Sequence, residues 1–60
     1  MMKEATWKNG KKKVSGRWHY DWARDRFVIH LDSKDRITGR NRQIEVSGDS
    51  PEWGNWKRIK

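Results

Sequence analysis

Between Arg17 and Asp32 apolar and polar side chains alternate in two runs. Trp18, Tyr20 and Trp22 are separated by His19 and Asp21, and Phe27, Ile29 and Leu31 by Val28 and His30. Successive strand side chains point to opposite faces, so each trio predicts one apolar face of a β-strand. Folding the stretch about Ala23-Arg24-Asp25-Arg26, with Ala23 against Arg26, sets Trp22 opposite Phe27, Tyr20 opposite Ile29 and Trp18 opposite Leu31. Pairs of this kind stabilise antiparallel strands by roughly 0.2–1 kcal/mol each. A slip of one residue would turn a whole trio outward, which specifies this register strongly.

The same period runs on either side. Residues 3–8 predict a first strand with Ala5 and Trp7 on one face. Asn9-Gly10 follows, a strong hairpin signal because both central residues of a type I′ turn need positive φ. Closing it pairs Lys8 with Lys11, Trp7 with Lys12 and Ala5 with Val14. A second strand over 11–22 then buries Val14, Gly16, Trp18, Tyr20 and Trp22, and Gly16 marks a bulge or sharp bend. The third strand covers 26–32 and ends in the turn chemistry of Asp32-Ser33-Lys34-Asp35.

Beyond it, Ile37 is odd-numbered whereas Ile44 and Val46 are even, so one uninterrupted strand cannot bury all three. A fourth strand is expected over 42–47, starting as early as Arg36 if Gly39 resets the parity. Ser50 fits a helix N-cap and Pro51 the first helical position, predicting one helical turn that Gly54 ends. Residues 55–59 complete the set as a last short strand.

Five short antiparallel strands with a helical turn before the last resemble, in order, an SH3-like barrel, a likeness of architecture that covers most of the chain. A strongly bent meander satisfies the same pattern. Either way the expectation is a single all-β domain over 1–60.

Composition sharpens this picture. Sixty residues lie near the lower limit for independent folding, and the mean hydropathy of -1.34 would suit a disordered chain. Five tryptophans oppose that, since each buries about 150–250 Å². Trp7, Trp18 and Trp22 are assigned to the core. With no cysteine, disulfides and thiolate metal sites are excluded, and a reducing cytoplasm is the default. No apolar run approaches the ~18 residues of a membrane span, and Met1-Met2-Lys3-Glu4 lacks the apolar core of a leader.

Charge brings in a partner. Lysine and arginine total 15 against 8 acidic residues, a net charge of +7, and such a field on so small a domain suits a polyanion. The cations fall in three groups: around the first turn with Lys8, around the fourth strand, and at the carboxyl end with Lys60. Lys11, Lys12, Lys13, Arg36, Arg40, Arg42, Lys57 and Arg58 are the candidate phosphate contacts. Trp53 and Trp56, in a poorly apolar segment, are the candidate stacking platforms for bases. Within Thr38-Gly39-Arg40-Asn41-Arg42, Asn and Arg suit base edges as well as phosphates.

Other chemistries fare less well. His19 and His30 face each other in the register above, but a metal site needs three or four ligands. No nucleophile elbow, glycine-rich phosphate loop or HExxH motif is present. The sequence therefore predicts a non-enzymatic, cofactor-free and metal-free nucleic-acid-binding protein, sequence-tolerant, with DNA slightly ahead of RNA. The alternative is a small adaptor docking on an acidic or larger protein. The expected state is a cytoplasmic monomer or weak homodimer.

Overall fold

A computed structural model describes residues 2–60; Met1, where the reading for a leader begins, lies outside them. Five antiparallel strands form one sheet: β1 (Lys3–Asn9), β2 (Lys12–Asp21), β3 (Arg26–Lys34), β4 (Asn41–Val46) and β5 (Lys57–Arg58). Their spatial order is β4-β3-β2-β1-β5, so β4 and β5 are edges and pairing does not close the sheet. The all-β expectation and the strand count hold. No helix among the described residues is long and apolar enough to cross a membrane.

Both hairpins form, and each register differs from the sequence-based one by two residues. In the first, Trp7 pairs with Val14 and Asn9 with Lys12, leaving Gly10-Lys11 as the turn. Only Gly10 there has positive φ, at 62°, which fits a type II′ turn with glycine first rather than a type I′ turn at Asn9-Gly10. This arrangement places Val14, not Lys12, beside the buried Trp7.

In the second hairpin Asp21 pairs with Arg26, Tyr20 with Phe27, Trp18 with Ile29 and Gly16 with Leu31. The tight turn expected at Arg24-Asp25 would require positive φ at its first residue, Arg24, and of the two only Asp25 adopts it, at 54°. Instead Asp21 grips a four-residue turn: its carboxylate accepts from the N–H groups of Ala23 and Arg24 at 3.1 and 3.2 Å. Trp22 is thereby moved out of the strand into the turn. It is 86% exposed, which corrects its assignment to the core.

Gly16 lies where β2 changes partners. β2 pairs with β1 from Lys12 to Trp18 and with β3 from Gly16 to Asp21, without a bulge in either ladder. A Cβ on Gly16 would stand 2.3 Å from the His30 carbonyl oxygen and 2.9 Å from the Leu31 Cα. The glycine is there for close backbone approach.

The irregularity falls on β3 instead. His30 pairs with Gln43 but Lys34 with Asn41, a bulged register shift. β3 thus runs on to Lys34, through most of the turn expected over 32–35, and Asp35 organises the loop beyond it. Its carboxylate accepts from Ile37 N at 2.7 Å and Thr38 N at 3.1 Å. Ile37 sits in this loop, 94% exposed, while Ile44 and Val46 pack on the core.

The expected helical turn before the last strand is not seen. Pro51 is buried, its carbonyl accepts from Trp7 Nε1 at 2.6 Å, and Glu52 N bonds back only as far as Ser50 O. An i→i+2 bond across proline is a γ-turn, which cannot propagate as a helix. Gly54-Asn55 then forms a turn that bridges Trp53 to Trp56.

One face of the sheet holds the core: Ala5, Trp7, Ile29 and Leu31 are buried, with Val14, Trp18, Ile44, Val46, Trp53 and Trp56 packed against them. The 47–56 segment folds across this face, where the Trp53 ring lies 5.3 Å from Trp7 and 5.9 Å from Trp56. The other face is polar, with one apolar exception, the buried Val28.

Candidate nucleic-acid interface

The meander fixes where the cations go. The β1–β2 turn and the β3–β4 loop lie at the same end of the sheet, and β5 enters beside that end, because Lys57 pairs with Lys8. Lys57 thus brings the carboxyl-terminal group to the end that carries the other two, while Arg58 and Lys60 run away from it along β1, and the groups do not share one face.

On the polar face the pairing makes a row. Lys57 is directly opposite Lys8, and Lys8 is directly opposite Lys13. Trp7 points into the core, so its neighbour Lys8 points outward, and its partners share that side. Directly opposed strand side chains have Cβ atoms about 4.5–5.5 Å apart. Like charges at this spacing repel, so sheet stability does not account for the row.

Among the described residues no carboxylate lies within 4.0 Å of these three ammonium groups; the ion pairs are Arg17–Glu4, Arg24–Glu45 and Arg26–Glu45. Glu52 feels the charges of Lys57 and Arg58 at longer range, but its pKa is lowered chiefly by the Arg58 backbone N–H, which it accepts at 2.7 Å. The lysines end in solvent, free to meet an anion.

The remaining cations take other positions. Lys11 is in the turn, and Lys12, opposite Asn9, shares the parity of Val14 at the hairpin tip. Arg36 and Arg40 are exposed in the β3–β4 loop, and Arg42 is the second residue of β4. Asp35 in that loop is held below the usual aspartate range, first by the N–H groups of Ile37 and Thr38 and then by the charge of Arg42. Arg58 departs furthest from the group: it pairs with Trp7, not Lys8, and its guanidinium lies 5.3 Å from the Trp18 ring.

Trp53 and Trp56 are half-buried lids on the core, whereas the freely exposed indole is Trp22. Sequence reasoning missed it because its parity matches Trp18 and Tyr20; the signal was Asp21, an Asx-turn former that ends the strand one residue early. Sequence reasoning also passed over Lys8 as a contact, since its place between Lys13 and Lys57 depends on the register.

The two histidines are diagonal neighbours rather than opposed. His19 pairs with Val28 and His30 with Arg17, and the rings stack at 5.5 Å with 12° between planes. No group of three or more potential metal ligands occurs among the described residues. No protein-family model, curated protein or solved structure matches this chain.

Proposed function

We propose that this chain is a small, non-catalytic nucleic-acid-binding domain that holds the phosphate backbone with little regard to sequence, DNA slightly ahead of RNA. The observation that carries the reading is the row Lys57–Lys8–Lys13, three opposed cations without a paired carboxylate. Lys11, Lys12, Arg36, Arg40 and Arg42 extend the positive field around that end. Regular spacing along a strand-to-strand row suits a polymer of evenly spaced anions better than a single small anion. The partner exchange of β2 at Gly16 supports seeing the open sheet as a curled, SH3-like meander with this row on its outside.

A salt titration of binding to duplex and single-stranded oligonucleotides tests the reading. If only the three lysines displaced counterions, affinity would fall roughly 40-fold for the duplex and roughly 18-fold for the single strand between about 50 and about 200 mM salt, and more steeply with the loop arginines engaged. Absence of binding at low salt, or binding indifferent to salt, would end it. The adaptor reading gains less support, because the two most exposed apolar side chains, Trp22 and Ile37, lie in turns at opposite ends of the sheet, and of the other exposed apolar side chains among the described residues only Met2 lines the hollow beside Trp22. A protein that still co-purifies after nuclease treatment would favour the adaptor.

A further inference from the structure

We infer that the molecule also carries a base-stacking groove, built on Trp22, that makes it prefer unpaired strands to duplexes. This deepens the proposed function and rests on it. The groove is a hollow of about 510 Å³ lined by Met2, Lys3, Trp18, His19, Tyr20 and Trp22. It opens where β1 stops: Lys3 is opposite Trp18, and β1 has no partner for Tyr20.

Trp22 is exposed but held. Its turn is fixed by the two N–H bonds to the Asp21 carboxylate, and Tyr20 donates its hydroxyl to Asp25 in the same turn. Arg24, also in the turn, is tied to Glu45 at 2.6 Å. The Tyr20 ring stands nearly perpendicular to the indole, with centroids 4.7 Å apart and planes at 78°, and Trp22 remains 86% exposed. A large aromatic surface presented to water on a fixed turn contributes little to folding and is well suited to stacking a flat ring.

Charge selects what that ring belongs to. Lys3, which lines the groove, holds its Nζ 5.3 Å from the Trp18 ring centre, and Arg58, outside the lining, brings its guanidinium to the same distance from that ring. An aromatic floor with cations beside it fits a nucleobase still attached to its phosphate. Arg58 follows Lys57 in the chain but faces the core side of the sheet, so a strand that meets both the lysine row and the groove passes round the β5 edge. A duplex keeps its bases stacked on one another, so only an unpaired strand can offer one to Trp22.

The experiment is fluorescence anisotropy on the full chain, with a labelled oligothymidylate of about a dozen nucleotides and a duplex of equal length. Trp22→Ala is expected to weaken the single strand on the order of 5- to 150-fold and to leave the duplex unchanged, while Trp22→Phe keeps most of the single-strand affinity. Combined Lys8→Gln, Lys13→Gln and Lys57→Gln should weaken both. If the triple variant loses both ligands while Trp22→Ala loses neither, or loses both equally, the groove inference is overturned and the lysine reading stands. If the parent binds neither oligonucleotide at low salt, the proposed function itself fails. Tryptophan quenching by a proline-rich peptide but by no oligonucleotide would assign the groove to a peptide and overturn the inference as well.

Discussion

The indole Nε1 of Trp7 donates to the carbonyl oxygen of Pro51 at 2.6 Å, joining residues 44 positions apart. Trp7 is fully buried, so this bond satisfies the one polar atom its ring carries inward. It also fixes the segment that lays Trp53 over the core. Trp7→Phe leaves the Pro51 carbonyl without its partner, at a cost of about 1–3 kcal/mol, with a further contribution from the lost ring volume. Urea unfolding should show a lower midpoint at unchanged slope. Trp53→Phe, which removes no such bond, should cost less; equal losses would mean the hydrogen bond contributes nothing of its own.

Gly16 admits no side chain without movement of backbone, because the atoms a Cβ would meet belong to His30 and Leu31 main chain. Gly16→Ala should therefore destabilise by about 1–3 kcal/mol, lowering the melting temperature by roughly 4–8 °C per kcal/mol. An unchanged melting temperature would show that β3 can recede from β2 freely.

Glu52 links acid stability to β5. Its pKa is lowered by the Arg58 N–H, with the Ser50 hydroxyl adding to this, against an ordinary value of 4.5. A carboxyl with a depressed folded pKa stabilises fully above its unfolded value and loses that stabilisation as pH falls through the folded one. The urea midpoint should thus decline as pH falls below that ordinary value of 4.5. Glu52→Gln should be less stable at neutral pH and show a shallower acid decline. Parallel pH profiles for parent and variant would refute the link. Asp35, lowered mainly by Ile37 and Thr38 N–H, carries the same sign for its loop.

Lys8 stands between two like charges, so the row that would bind an anion weakens the sheet. Lys8→Gln should raise stability at low salt by a few tenths of a kcal/mol while weakening oligonucleotide binding. Added salt should shrink the stability gain, since exposed charges are screened. A variant that is both less stable and equally good at binding would contradict this account.

Much of the fold was legible because a period of two assigns faces without needing the register. Both hairpins slipped by two residues, and a slip of two keeps every side chain on its side; the apolar faces of β1, β2 and β3 therefore held. What failed was decided by single local bonds. Asp21 capturing two N–H groups turned Trp22 outward, and Trp7 capturing the Pro51 carbonyl came with a γ-turn where Ser50-Pro51 suggested a helix. The candidate site was legible as composition, through Lys11–Lys13 and the carboxyl-terminal cations. Its central member was not, because Lys8 gains its meaning only from the strands on either side.

The short β5 strand has a kinetic meaning. Every other strand pairs with its neighbour in the chain, so four strands can assemble by successive hairpins, and only the Lys57–Arg58 contact with Trp7–Lys8 must close a loop spanning most of the protein. Long closures come late because their entropy must be met before they are rewarded. Substitutions that loosen β5 should accordingly quicken unfolding and leave the refolding rate nearly unchanged, a split that stopped-flow tryptophan fluorescence reads directly. A refolding rate that slows in step with the lost stability would put β5 in the nucleus instead.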